Sequence, residues 1–109
     1  MDRRIYRSRP GAVVEEIKER LMLDYEVASK SFTILIQQAE LEKINVNSAR
    51  LSNEILLEKF KIGTISSFEF RQSQLNYLDA QIRLSNALYK AKLAEISILL
   101  MLDKLSPNQ

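Results

Sequence analysis

Apolar residues recur at spacings of three and four positions along almost the whole chain. Between Ala12 and Lys61, and again between Ser67 and Leu105, no proline or glycine interrupts this spacing. Such a repeat is typical of α-helices that bury a stripe of their surface. The pattern therefore predicts an all-α fold with two long helices, the first at about residues 12–61 and the second at about residues 67–105.

Each predicted helix carries two apolar seams with a sevenfold repeat, as in a coiled coil. At ~103° per residue, the two seams of one helix are centred about 150° apart around its axis. Polar stripes separate the seams, so each helix is expected to contact a neighbour on both sides. The first helix has a Leu35 seam (Leu21, Tyr25, Ala28, Phe32, Leu35, Ala39, Glu42, Val46, Ala49, Asn53, Leu56, Phe60) and a Leu41 seam (Leu23, Val27, Lys30, Ile34, Gln37, Leu41, Ile44, Ser48, Leu51, Ile55, Glu58, Ile62). The second helix has a Leu84 seam (Phe70, Ser73, Tyr77, Ala80, Leu84, Ala87, Ala91, Ala94, Ile98, Met101, Leu105) and a Leu75 seam (Phe68, Arg71, Leu75, Leu78, Ile82, Ser85, Tyr89, Lys92, Ile96, Leu99).

A glycine separates the two helices. Gly63 lies within the stretch FKIGTISSFEF at residues 60–70 and can adopt the left-handed conformation that often ends a helix. Ser66 or Ser67 can cap the next helix, and Glu69 stands three residues after Ser66, as a capping box requires. The sequence thus predicts a turn at residues 62–66 and an antiparallel helical hairpin.

The seams also give an expected register for this hairpin. With the turn centred near Thr64, the Leu35 seam would pack against the Leu75 seam. The facing residues would then be Phe60 with Phe68, Val46 with Ile82, Ala39 with Tyr89, and Ala49 with Leu78.

The remaining two seams would face outward, because a two-helix hairpin can bury only one seam of each helix. Nearly opposed apolar faces favour a closed ring of helices, an α-barrel, whereas dimerisation into a four-helix bundle is the alternative. The residues expected to form contacts between hairpins are Ile34, Leu41, Ile55, Tyr77, Ala80, Leu84, Ala87, Ala94 and Ile98.

The composition argues against enzymatic chemistry. The chain contains no cysteine and no histidine, which excludes disulfides and thiolate catalysis and removes the commonest metal ligand and general base. Its carboxylates lie along the predicted helices with lysines nearby, as on a solvated charged face. We therefore expect a protein that is not an enzyme, with no cofactor and no metal.

The charge is concentrated at the start of the chain. The first ten residues hold four arginines against one aspartate, a net charge of +3, so the total of +2 leaves −1 for the rest. Residues 1–11 are expected to form a basic, disordered arm, and residues 106–109 a short tail. An alternative function is a soluble coiled-coil interaction module whose arm contacts nucleic acid or anionic lipid.

Membrane insertion of this chain is not expected. No apolar stretch follows the arginines, so no signal peptide is predicted. The longest apolar run, ISILLML at residues 96–102, is much shorter than the roughly 20 residues that a membrane-spanning helix needs.

From about Leu21 to Leu105 the chain resembles the C-terminal helical hairpin of the outer-membrane efflux protein (TolC) family. That family has an aromatic residue, two further residues, a glycine and a small polar residue at the turn. An acidic residue, a glutamine and an alanine follow in the returning helix. The upstream stretch LMLDYEVASKSF also resembles the start of that hairpin. The matching residues here are Phe60, Gly63, Thr64, Ser66, Glu69, Gln74 and Ala80.

The resemblance implies a structural segment of an outer-membrane efflux or secretion channel, here a fragment or truncated form with a single hairpin. Members of the family are trimers whose hairpins form a helical barrel through the periplasm. They contact a periplasmic adaptor protein and an inner-membrane transporter, so a periplasmic and outer-membrane location is implied and no nucleic-acid partner is expected. The tip of the hairpin would contact the adaptor through Phe60, Ile62, Gly63, Thr64, Ile65 and Ser66.

Overall fold

The computed structural model describes residues 10–105. Most of the predicted arm, residues 1–9, and the predicted tail, residues 106–109, lie outside the described residues. Within the described range the chain is an antiparallel helical hairpin, with helix α1 at Pro10–Lys61 (52 residues) and helix α2 at Ser67–Leu105 (39 residues). The all-α hairpin expected from the sequence is confirmed.

The first helix begins slightly earlier than expected. Pro10 and Gly11, assigned to the arm from the sequence, belong to α1. Proline is well tolerated at the start of a helix, because the N–H that it lacks would have no intrahelical partner there. The glycine that follows does not break the helix, because glycine inside a helix costs only about 1 kcal/mol relative to alanine.

The end of α1 has the hydrogen bonds of a Schellman motif. Gly63 has a φ of +80°, the left-handed conformation. Its N–H donates to the carbonyl oxygen of Phe60 at 3.0 Å, and the N–H of Thr64 donates to that of Lys59 at 2.9 Å. The Thr64 hydroxyl donates to the same Lys59 oxygen at 3.0 Å. Carbonyl groups that the helix leaves unpaired are thereby satisfied, as the motif requires.

The start of α2 is a capping box, and Ser66 rather than Ser67 is the capping residue. The N–H of Glu69 donates to the Ser66 hydroxyl at 3.1 Å, and the N–H of Ser66 donates back to the Glu69 carboxylate at 3.2 Å. Two N–H groups at the helix start are satisfied by this exchange. The chain therefore reverses direction between two well-formed helix ends.

Two units make up the chain. One comprises residues 34–92, including the turn, and the other comprises residues up to Thr33 together with residues from Leu93. In the unit of residues 34–92 the Leu35 seam of α1 faces α2, as expected, with Ala39 only 4% exposed. From α2, however, the facing seam is the Leu84 seam, in which Ala80 is 1% exposed.

The expected pairing of the Leu35 seam with the Leu75 seam is therefore wrong, although the register is close to the expected one. Asn53 accepts a hydrogen bond from the Ser73 hydroxyl at 3.0 Å. Phe60 stacks on Phe70, not on Phe68, with ring centroids 5.1 Å apart. Across the hairpin, α2 has turned its alanine-bearing face toward α1.

Side-chain size explains this choice of face. Small residues on the Leu84 seam let the two backbones approach closely, which improves packing along the whole contact. Large residues such as Phe68 and Tyr89 on the Leu75 seam would hold the helices further apart. Among the residues predicted to face outward, Tyr77, Ala80, Leu84 and Ala87 are instead buried or half-buried in this unit, whereas Ile34, Leu41 and Ile55 are exposed.

The same seams are covered in the unit formed by residues up to Thr33 and from Leu93. On α1 its half-buried large apolar residues belong to the Leu35 seam, and on α2 they belong to the Leu84 seam. Ala94 and Ile98, predicted to face outward, are half-buried here. Residues 11–20 of α1 are all exposed.

Candidate interaction surfaces

The charged side chains of residues 10–105 do not gather into a metal centre. Among the described residues, no group of three or more His, Cys, Asp or Glu side chains could hold a metal ion. Several carboxylates form ion pairs with a basic residue three or four positions along the same helix, as in the Glu40–Lys43 and Arg50–Glu54 pairs at 3.6 and 2.9 Å. These pairs are exposed and have the spacing that stabilises helix surfaces.

One carboxylate, Glu42, lies at the hairpin interface. Its side chain is 14% exposed, and its Oε1 atom lies 3.5 Å from the Arg83 Nε on the opposite helix. The Asn45 amide donates to the same oxygen at 3.2 Å, and Arg83 also pairs with Asp79. Glu42 is thus a cross-helix contact that helps to fix the pairing of α1 with α2.

A groove of about 550 Å³ lies beside the hairpin interface near the turn. Polar side chains are the more numerous on its walls, but most of the exposed lining surface is apolar, so it is a shallow cleft of mixed character between two helices. Its lining residues are Ser48, Ala49, Ser52, Leu56, Phe68, Glu69, Gln72, Ser73 and Asn76.

The tip has an apolar surface built from both sides of the turn. Ile62 is 74% exposed and Phe68 is 73% exposed. Ile65, expected at the tip surface, is half-buried, and Phe60 is partly covered by its stack on Phe70. The exposed apolar atoms of the tip therefore come mainly from Ile62, as expected, and from Phe68.

Phe68 was not expected as a surface residue, because the Leu75 seam was predicted to face α1, with Phe68 opposite Phe60. The sequence holds one indication of its exposure. Phe68 belongs to the Leu75 seam, whereas Phe70 belongs to the alanine-bearing Leu84 seam that α1 covers.

Both helices expose an apolar seam on the side away from the hairpin interface. In residues 34–92 these are the Leu41 seam of α1 and the Leu75 seam of α2. Contiguous exposed apolar surface of this extent marks an interaction site in most proteins. The exposed large residues of the two seams in this unit are Ile34, Leu41, Ile44, Leu51, Ile55, Ile62, Phe68, Leu75, Leu78, Ile82 and Tyr89.

Comparisons with known proteins leave the family open. No family model matches the chain, and comparison with curated proteins and with solved structures gives no significant match. The resemblance to the outer-membrane efflux proteins therefore rests on the turn and the seams alone. Neither helix, over the residues described, has a stretch long and apolar enough to cross a bilayer.

Proposed function

We propose that this chain is a structural hairpin in the helical wall of an outer-membrane efflux or secretion channel of the TolC type. It would act through helix contacts rather than through chemistry. The observation that carries the proposal is the exposure of one apolar seam on each helix, on the side away from the hairpin interface. Such a hairpin has surface for a neighbour on each side, which is what a wall of parallel and antiparallel helices requires.

The hairpin interface supports the same proposal, because it buries few residues. Its buried hydrophobic residues in the described part of the chain are all alanines, Ala39, Ala80, Ala87 and Ala91. Each Leu, Ile or Phe left exposed forgoes roughly 1.5–3 kcal/mol of burial free energy. A hairpin whose buried residues are small, and whose outward seams carry exposed large residues, is therefore suited to assembly with other helices.

The tip is the proposed contact for a periplasmic adaptor. A turn between two long helices is normally polar, but here Ile62 and Phe68 stand exposed beside Thr64. The Schellman motif and the capping box hold these side chains on a defined backbone. Association as a trimer, contact with an inner-membrane transporter, and an outer-membrane and periplasmic location complete the proposal by resemblance.

Fractionation of cells that produce the protein from its own gene, combined with a dye-efflux assay, tests the proposal. The protein should sediment with the outer membrane, and loss of the gene should slow efflux of a fluorescent dye. Ile62→Asp should impair efflux while leaving the protein level unchanged, because Ile62 makes little contact within the hairpin.

Ile17→Asp is the matched control. Ile17 is also an exposed isoleucine of α1, 54% exposed, but belongs to the first turns of that helix and not to the tip. This variant should leave efflux unchanged. Recovery of the protein in the cytosol, with normal efflux after deletion, would reject the channel and favour the coiled-coil interaction module.

A further inference from the structure

The exposed seams of residues 34–92 carry charges of opposite sign near the tip. The Leu41 seam of α1 holds Glu58, and the Leu75 seam of α2 holds Arg71. Glu58 makes only an exposed contact with Lys61 on its own helix, at 3.6 Å. Arg71 makes no ion pair or hydrogen bond with any residue that the structure describes. Both side chains are therefore available to a partner.

We infer that a second copy of this chain covers these faces, with the Leu41 seam of one copy packed antiparallel against the Leu75 seam of the next and Glu58 opposite Arg71. The inference rests on the proposed function and names the neighbour of the hairpin in the wall. The apolar seams would supply the affinity, and the ion pair would set the register.

The spacing of the two seams fits this arrangement. Once Glu58 lies opposite Arg71, moving seven residues along each helix places Leu51 opposite Leu78, and seven more place Ile44 opposite Ser85. Leu51 and Leu78 thus form an apolar pair one heptad away from the ion pair, and Ile44 meets a small side chain in the next heptad. The second cation of the Leu75 seam, Lys92, then lies opposite the amide Gln37 rather than opposite another cation.

Contacts between like faces fit less well. Two Leu75 seams in parallel would place Arg71 against Arg71, and two Leu41 seams in parallel would place Glu58 against Glu58. Like charges directly opposite each other destabilise helix contacts. Two Leu41 seams packed antiparallel about Leu51 would instead place Glu58 against Ile44, and so desolvate a carboxylate without a partner.

A contact between unlike faces has a further consequence. Each copy that joins leaves one Leu41 seam free at one end and one Leu75 seam free at the other. Such a heterologous contact can add further copies, whereas a two-fold dimer is complete with two. The inference therefore predicts association beyond the dimer.

Cysteine crosslinking of the 109-residue chain tests this contact directly, because its sequence contains no cysteine. Leu51→Cys protein and Leu78→Cys protein are prepared separately, one of them carrying an affinity tag, then mixed and oxidised. The expected product is the mixed dimer, formed in several-fold excess over either homodimer. Equal or greater yields of homodimer would overturn the inference.

Charge reversal is the second experiment. In the Leu51→Cys and Leu78→Cys mixture, Glu58→Arg on the first protein should lower the yield of mixed dimer, and Arg71→Glu on the second should restore it. An exposed ion pair is worth roughly 1.4- to 5-fold in an equilibrium, so a loss of about threefold is expected. Glu40→Arg, a reversal in a polar stripe of α1, is the matched control and should leave the yield unchanged.

The outcomes separate the inference from the proposed function. The Glu58–Arg71 register is refuted if the chains associate but crosslink as homodimers, or if the yield of mixed dimer does not respond to either charge reversal. In both cases the hairpins could still form a wall in another arrangement. A chain that stays monomeric at high concentration, without any crosslink, contradicts the proposed function as well.

Discussion

At the scale of single residues, the turn holds the positions with the strictest requirements. Gly63 adopts a φ of +80°, and nothing lies within 4 Å of the point where a Cβ atom would stand. Space is therefore available for a side chain, and only the backbone conformation disfavours it. Ser66 is required for a different reason, because its hydroxyl accepts the N–H of Glu69.

Replacement of Gly63 by valine should destabilise the hairpin by about 1–2 kcal/mol, the cost of a left-handed conformation for a residue with a side chain. Urea unfolding followed by circular dichroism measures it. Gly11→Ala serves as the control, because Gly11 lies inside α1 and alanine there should leave stability unchanged or raise it slightly. An unchanged stability for Gly63→Val would show that the turn relaxes without the left-handed residue.

Replacement of Ser66 by alanine should cost about 1 kcal/mol, since it removes the acceptor for the Glu69 N–H. The adjacent Ser67→Ala is a matched control, and it should change the free energy of unfolding by only a few tenths of a kcal/mol. The same unfolding measurement compares the two. Equal effects of the two substitutions would show that Ser66 is not the capping residue.

At the scale of the helices, the decisive feature is which face of α2 meets α1. The structure places Ala80 in the interface and leaves Ile82 about half exposed. Adding a large side chain at position 80 should therefore be costly, whereas removing the large side chain at position 82 should cost little.

We expect Ala80→Leu to destabilise the hairpin by roughly 1–3 kcal/mol, because it forces the two helices apart. Ile82→Ala should cost less than about 1 kcal/mol in the monomer, since that side chain is not enclosed. Thermal unfolding at low protein concentration measures the stability of both variants. A cost of several kcal/mol for Ile82→Ala, with Ala80→Leu tolerated, would indicate that the Leu75 seam faces α1 after all.

At the scale of the whole molecule, the exposed seams control association. The large residues of the Leu41 and Leu75 seams gain burial only from other helices. Burying several of them at roughly 1.5–3 kcal/mol each exceeds the usual free-energy cost of bringing chains together.

The chain should therefore self-associate in a concentration-dependent manner, which sedimentation velocity can follow. Replacing Ile55 and Leu75 together by serine should shift the population toward monomer while leaving the helical circular dichroism signal in place. Ser52→Ala with Ser97→Ala, two changes in the polar stripes, is the control and should not weaken association. A compact monomer at high concentration of the natural chain would contradict the expectation.

The sequence by itself determined the helices, the turn and its chemistry. The absence of proline and glycine from residues 12–61 and 67–105 predicted the two long helices, and Gly63, Ser66 and Glu69 predicted the helix ends at the turn. These features depend on the local backbone and on side chains within a few residues, so they can be derived without the rest of the fold. The exposure of Ile62 at the tip follows from the same local pattern.

Only the tertiary structure decided which seam of α2 faces α1, and with it the exposure of Phe68. Both seams of α2 are apolar and both have the required sevenfold repeat, so periodicity alone cannot rank them. The choice depends on the separation of the two helix axes, which the small side chains of Ala80 and Ala87 reduce, and on cross-helix contacts such as Asn53 with Ser73 and Glu42 with Arg83. Those contacts join residues far apart in the chain, and they exist only once both helices are in place.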